Sequence, residues 1–84
     1  MKNKVLVELV VPDIEKKYDV FIPVSKKIGN VIVLLNKAIA DLNNGLYQGS
    51  NLTSLYNKNT SQRYAVDELV RNTDIRNGTT LILL

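Results

Sequence analysis

The sequence predicts an α+β fold in which one face of a mixed β-sheet packs against a single α-helix. Apolar residues recur at steps of three and four in one long stretch, residues 28–42, and this spacing places them on one helix face. The flanking segments alternate apolar and polar residues or are rich in β-branched residues, as short strands are. Such strands need a surface against which to bury their apolar face, and the helix supplies it.

An opening hairpin precedes the helix. The first strand is predicted over residues 4–11 and the second over residues 18–24, with a turn at Pro12-Asp13 between them. Ser25 is the predicted N-cap of the helix, because its hydroxyl can accept from free amides at the start. The Asn-Asn-Gly sequence at residues 43–45 is expected to end the helix near Leu42, because these residues tolerate left-handed geometry.

Three further strands are predicted after the helix, at residues 52–56, 62–66 and 79–84, the middle one short. Asp67 is expected to cap a single helical turn over residues 68–70, and Asn77-Gly78 is a strong turn signal before the last strand. The order strand-strand-helix-strand-strand-strand is that of the β-grasp, or ubiquitin-like, fold. In it the first and last strands are parallel neighbours at the sheet centre, which suits the two most apolar strands.

The predicted core joins the helix stripe to one face of the strands. On the helix it comprises Ile28, Val31, Ile32, Leu35, Ala38, Ile39 and Leu42. On the strands it comprises Val5, Val7, Leu9, Val20, Ile22, Leu81 and Leu83. Because the chain has 84 residues, of which 45% are hydrophobic, we expect one domain, residues 1–84.

The composition argues against several function classes. No apolar stretch is long enough to span a membrane, and Glu8 interrupts the only run that resembles a signal peptide, so we expect a cytoplasmic protein without membrane insertion. The net charge is +3, and Lys16, Lys17, Lys26 and Lys27 could form a basic patch. Acidic residues are interleaved with the first pair and no phosphate loop is present, so we expect no nucleic-acid binding.

The residues of common catalytic sites are missing. The chain has no histidine and no cysteine, so it lacks the usual near-neutral base and the usual thiol nucleophile. No carboxylate pair is placed as an acid and a base, and no serine has a base signature near it. Asp13 with Glu15, or Asp67 with Glu68, could bind a divalent cation, but turn and cap roles explain them more simply. We therefore expect no enzyme activity, no catalytic residue, no cofactor and no metal.

Two segments resemble a known family. Residues 18–23, YDVFIP, leading into residues 28–32, IGNVI, are similar to the strand-proline-helix segment of the YukD/EsaB ubiquitin-like proteins. Residues 74–84, DIRNGTTLILL, are similar to the isoleucine, asparagine-glycine and apolar ending of the same family. The family belongs to the type VII (WXG-type) secretion systems of Gram-positive bacteria.

The resemblance implies a non-catalytic accessory or regulatory protein that acts by contact with other secretion components. Ubiquitin-type conjugation and sulfur-carrier chemistry need a flexible tail that ends in Gly-Gly, whereas this sequence stops at Leu83-Leu84 inside its last predicted strand. We therefore expect neither conjugation nor thiolation. A stand-alone β-grasp adaptor or scaffold in an unrelated pathway is the alternative, and a carrier protein or enzyme is a third class.

The outer face of the sheet is the predicted contact surface, because one helix cannot cover both faces. Alternation turns Leu6, Glu8 and Val10 outward if Val5, Val7 and Leu9 point to the helix. The same rule predicts a contiguous apolar patch that binds a protein partner or a second copy, formed by Leu6, Val10, Phe21, Ile82 and Leu84. Val33 and Leu34 lie outside the helix stripe, where scattered exposure is the simpler interpretation and a second contact surface the alternative.

Overall fold

The computed structural model describes residues 3–50 and 52–84, which form a four-stranded mixed sheet and one long helix. An antiparallel hairpin of β1 (Lys4–Val11) and β2 (Lys16–Pro23) comes first, and α1 (Ile28–Leu42) follows it. The sheet is completed by β3 (Leu55–Asn57) and β4 (Thr80–Leu83). The strand order is β2-β1-β4-β3, with β1 and β4 parallel at the centre. The predicted α+β, β-grasp arrangement is confirmed, as are the bounds of β1 and α1.

The predicted fourth strand, residues 62–66, is wrong. Among the described residues it forms only an isolated antiparallel bridge between Arg63 and Tyr56. The Tyr64 amide donates to the Leu55 carbonyl at 2.9 Å, so the segment returns beside β3 without running along it. The strand predicted over residues 52–56 is also shorter than expected, because the Thr53 amide closes a turn onto the Ser50 carbonyl and β3 begins only at Leu55.

The first amides of α1 donate to backbone carbonyls that are distant in sequence, and Ser25 is not the N-cap. The N-cap is Lys27 and it makes no side-chain cap hydrogen bond. The Ile28 amide donates to the Glu68 carbonyl and the Gly29 amide to the Val66 carbonyl, each at 2.8 Å. Gly29 suits this contact, because a Cβ there would lie 3.1 Å from the Val66 carbonyl oxygen.

The helical turn predicted over residues 68–70 is displaced. The Val66 and Glu68 carbonyls accept hydrogen bonds from the first amides of α1. A short 3-10 turn forms instead at Val70–Asn72, and it buries Val70. The N-cap of this turn is Leu69, which makes no side-chain cap hydrogen bond, so the predicted Asp67 cap is wrong.

The end of α1 has the predicted left-handed geometry. Asn44 has φ +53° and Gly45 has φ +78°. The buried Asn43 side chain donates to the Ile39 carbonyl at 2.8 Å and to the Tyr18 hydroxyl at 2.9 Å, and it accepts from Lys16 Nζ at 2.9 Å. These bonds join the last turn of the helix to β2.

Most of the predicted core is buried. The confirmed residues are Val7, Leu9, Ile22, Ile28, Val31, Ile32, Leu35, Ile39, Leu81 and Leu83. Val5 and Val20 are only partly buried and pack against this cluster. Ala38 and Leu42 are exposed, so their predicted burial is wrong. Leu42 lies in the last turn, where Asn43 fills the inward position, and Ala38 lies at the edge of the stripe.

Several core residues come from segments without a regular period. Tyr47 lies in the loop after α1, and its hydroxyl donates to Asn36 Oδ1 at 2.8 Å. The remaining buried apolar residues outside the predicted set are Val11, Leu55, Tyr64, Val70 and Ile75. The loops between α1 and β4 thus close the core that the helix and sheet begin.

Candidate protein-contact face

The outer face is the side of the sheet that points away from α1. In β1 the side chains of Val7, Leu9 and Val11 are buried in the core that α1 covers. Because successive side chains alternate across a sheet, Leu6 and Val10 lie on the opposite side. We use the term outer face for this side on all four strands.

One apolar pair lies at one end of the outer face. Leu6 and Phe21 are directly opposite each other in the antiparallel β1–β2 ladder. They are 41% and 53% exposed, respectively. Since paired residues of an antiparallel ladder share a face, their side chains are neighbours. The strand register thus brings two of the five predicted contact residues together.

A second apolar cluster crosses the middle of the sheet. Val10 is opposite Ile82 in the parallel β1–β4 ladder, and Ile82 is opposite Tyr56 in the β3–β4 ladder. All three are partly buried. Leu84 exchanges two backbone hydrogen bonds with Ser54, which continues the ladder and places Leu84 on the Ile82 side. The five predicted residues therefore form two groups.

A polar row separates the two groups. Glu8 is opposite Asp19 on β2 and opposite Thr80 on β4, so these three residues cross the sheet between them. Leu6 and Val10 are four positions apart along β1, or about 13 Å at the usual rise per residue. The apolar surface is consequently interrupted by two carboxylates.

Basic side chains stand at both ends of the second cluster. Lys17 is opposite Val10 on β2, and Arg63 forms its bridge with Tyr56 beyond β3. Both are exposed. The row therefore reads Lys17, Val10, Ile82, Tyr56, Arg63, with Glu8 and Asp19 in the adjacent row. Such an apolar centre with charges of both signs around it can fix the orientation of a bound protein.

Tyr56 belongs to this face but was absent from the predicted contact residues. Its alternation with the buried Leu55 and Asn57 was the available signal. Its opposition to Ile82 depends on the β3–β4 register, which follows from contacts distant in sequence.

A buried polar network supports the edge of this face at β3. The Asn57 side chain donates to the Tyr64 hydroxyl at 3.1 Å, and that hydroxyl donates to Asp74 Oδ1 at 2.5 Å. Burial, reinforced by the hydrogen bond to Asp74, raises the pKa of Tyr64 to about 12. The pKa of Tyr47 is raised as well, by burial and then by the negative charge of Asp13.

The high pKa of Tyr64 predicts a late step in the alkaline titration. The difference in tyrosinate absorbance between the wild type and Tyr64→Phe should have its midpoint at about pH 12 when folded. In urea it should return to about pH 10, the ordinary value. Because the folded-state pKa is raised, the stabilisation by neutral Tyr64 is complete below about pH 10 and is lost as the pH rises through about 12. A folded midpoint near 10 would contradict the buried network.

The described residues contain no group of three or more histidine, cysteine, aspartate or glutamate side chains that could hold a metal ion. Within residues 3–50 and 52–84, the length and apolar content needed to cross a membrane are found in no helix.

Comparisons with known proteins find similar folds among solved structures. No family model and no curated protein matches the sequence. Among solved structures, the chain is similar to the ubiquitin-like domain of the Mycobacterium tuberculosis type VII secretion system protein EccD1, with a TM-score of 0.73 at 10% identity. That match covers 96% of this chain and 97% of the EccD1 domain. The fold is ubiquitin-like.

Two further structures give the same result. A chain of the MycP5-free ESX-5 inner membrane complex matches with a TM-score of 0.71 at 10% identity. The match covers 98% of the present chain and 21% of the ESX-5 chain. The present chain therefore spans about a fifth of the length of that ESX-5 chain. The ubiquitin of Caldiarchaeum subterraneum matches with a TM-score of 0.67 at 10% identity, over 95% of this chain and 90% of that ubiquitin.

Proposed function

We propose that this ubiquitin-like chain is a non-catalytic accessory or regulatory component of a type VII (WXG-type) secretion system. It acts in the cytoplasm by protein contact and not by conjugation. The observation that carries the proposal is that the segments resembling the YukD/EsaB family, residues 18–23, 28–32 and 74–84, lie in β2, in the first turns of α1, and in the segment that ends in the central strand β4. The fold similarity to the EccD1 domain supports the same role.

The outer face is the proposed contact surface for a secretion component. Exposed Phe21 and Leu6 present one apolar contact, and the Val10–Ile82–Tyr56 row presents the other. Glu8 and Asp19 lie between these two apolar groups, and their carboxylates favour basic or hydrogen-bonding groups on the partner. A partner that complements both apolar groups and the acidic row would be held in one register.

The alternative is a stand-alone β-grasp adaptor in an unrelated pathway. The comparable similarity to an archaeal ubiquitin favours it, because the same fold occurs in proteins whose names carry no link to secretion. Genes for WXG-type substrates and a membrane ATPase beside this gene would favour the secretion role, and their absence would favour the adaptor.

A secretion assay tests the proposal. The gene is deleted in its host, and export of WXG-type substrates is measured after complementation with the wild type or with Phe21→Asp/Ile82→Lys. We expect the wild type to restore export and the double variant to leave it at the level of the deletion strain, because the variant places charges in both apolar groups. Circular dichroism of the purified variant verifies that it folds.

The matched control is Val33→Asp/Leu46→Lys, which introduces the same charges at exposed apolar positions of α1 and the following loop. This variant should restore export as the wild type does. Undiminished export in the deletion strain would contradict the secretion role. Full export with a folded Phe21→Asp/Ile82→Lys protein would contradict the outer face as the contact surface.

A further inference from the structure

The sequence contains two asparagine-glycine pairs, and the structure holds them in different ways. They are Asn44-Gly45, after α1, and Asn77-Gly78, before β4. Asparagine is a thermolabile residue, because its side-chain amide can be lost without an enzyme. A following glycine favours this loss, because it has no Cβ to hinder its backbone nitrogen. Each pair is therefore a candidate site, and its surroundings decide whether it reacts.

The reaction requires the asparagine side chain and the next backbone nitrogen to meet. That nitrogen gives its proton to hydroxide and bonds to the side-chain carbonyl carbon. The bond from this carbon to the amide nitrogen breaks, and ammonia leaves after taking a proton from water. Water then opens the cyclic imide, on one side to aspartate and on the other to isoaspartate, whose main chain runs through the former side chain. Groups that are held in hydrogen bonds react only after the local structure opens.

Asn77-Gly78 is held to the strand β1 at both reacting groups. Asn77 Oδ1 accepts from the Leu6 amide at 2.8 Å, and the Gly78 amide donates to the Leu6 carbonyl at 2.9 Å. The turn around the pair is closed twice. The Thr79 amide donates to the Arg76 carbonyl at 3.0 Å, and the Arg76 amide donates to Thr79 Oγ1 at 2.9 Å. Opening this pair therefore breaks bonds to a central strand of the sheet.

Asn44-Gly45 is held less firmly, at the end of α1. The Gly45 amide donates to the Ala40 carbonyl at 2.9 Å. Asn44 is exposed, and the side-chain hydrogen bonds that the described residues make at this turn belong to the neighbouring Asn43. Asn44 also has φ +53°, a conformation that is unfavourable for a residue with a Cβ. The end of a helix opens more readily than the centre of a sheet, so this pair can react in the folded protein.

We propose that Asn44 is a site of spontaneous deamidation in the folded protein, and that the bonds to Leu6 protect Asn77. Asn44 is converted through the cyclic imide to aspartate and isoaspartate. Both pairs have the same chemistry, so the difference between them comes from the hydrogen bonds that must open. The site differs from the outer face and does not depend on the secretion role.

Modification at Asn44 alters the end of α1. Isoaspartate lengthens the main chain by one atom before Gly45, so the Gly45 amide no longer meets the Ala40 carbonyl in the same geometry. Either product adds a negative charge next to the C-terminus of the helix, where the helix dipole disfavours it. The adjacent Asn43, whose side chain joins α1 to β2, is loosened as a result.

Ageing of the purified protein followed by peptide mapping tests the proposal. The protein is kept at mildly alkaline pH and physiological temperature, either folded or in urea. Mass spectrometry then measures aspartate and isoaspartate at both asparagines. In urea the two sites should react at rates within about threefold of each other, because the unfolded chain removes most of the structural difference. In the folded protein Asn44 should react at least about tenfold faster than Asn77.

Thr79→Val tests the protection of Asn77 directly. It keeps the shape of the side chain but removes the Oγ1 acceptor of the Arg76 amide. The rate at Asn77 in the folded protein should rise about threefold or more, as expected for one lost hydrogen bond, and the rate at Asn44 should not change. Thr60→Val is the matched control, because it removes an Oγ1 acceptor in the turn after β3 and should change neither rate.

Two results would overturn the proposal. The first is a rate at Asn77 in the folded protein that equals or exceeds the rate at Asn44, because the bonds to Leu6 would then give no protection. The second is no reaction at Asn44 in the folded protein while the protein in urea is largely converted, because the end of α1 would then be protected as well. The comparison of folded and urea-treated wild type decides the outcome if Thr79→Val does not fold.

Discussion

The Leu35→Ala variant is expected to melt about 10 °C or more below the wild type. Leu35 is buried in the centre of the helix face that packs on the sheet. Truncating a buried leucine removes its packing and leaves a cavity, which costs about 2–5 kcal/mol of the free energy of unfolding. In a domain of this size each kilocalorie lowers the melting temperature by about 4–8 °C.

Leu42→Ala is the matched control for this prediction. It makes the same chemical change about two turns further along α1, at a side chain that is 65% exposed. The loss there should stay within about 0.5 kcal/mol, as for other surface substitutions. Thermal unfolding followed by circular dichroism measures both variants. Equal melting temperatures for the two variants would contradict the orientation of α1.

Asn57→Ala is expected to cost about 2–3 kcal/mol, because it removes three hydrogen bonds around a buried amide. Asn57 Oδ1 accepts from the backbone amides of Asn59 and Thr60 at 2.9 and 3.2 Å. Its side-chain nitrogen donates to the Tyr64 hydroxyl at 3.1 Å. The substitution therefore loosens both the turn after β3 and the network that joins β3 to Tyr64 and Asp74.

Asn59→Ala makes the same change two residues later, at an exposed side chain in the turn. Urea unfolding of the two variants should show a loss for Asn57→Ala and a change within about 0.5 kcal/mol for Asn59→Ala. If both variants unfold at the wild-type urea concentration, the Asn57 network does not stabilise the fold.

Elements with a strong period could be predicted from the sequence. The stripe from Ile28 to Leu42 and the following Asn-Asn-Gly define both ends of α1, because helix period and stop residues are local properties. The alternation of Lys4–Val11 defines β1 in the same way. The predicted outer face used that alternation too, and Glu8 was already among its outward residues.

The rest depended on contacts between distant residues. The start of α1 is satisfied by the Glu68 and Val66 carbonyls, which lie about forty residues away in sequence and cannot be inferred from the local sequence around Ser25. Tyr47, Tyr64 and Ile75 are buried in irregular segments, where no period indicates which side chain points inward. The acidic row on the outer face required the register that pairs Glu8 with both Asp19 and Thr80.

Photocrosslinking in the host cell tests most directly whether the outer face contacts a secretion component. A photoreactive amino acid replaces Ile82 in the middle of the outer face or, as the control, Val66, which is exposed in the segment that contacts the start of α1. Adducts are identified by mass spectrometry. We expect the position-82 protein to form an adduct with a type VII secretion component that the position-66 protein does not form. An adduct with only unrelated proteins at position 82, or the same adducts from both positions, would contradict the proposed contact.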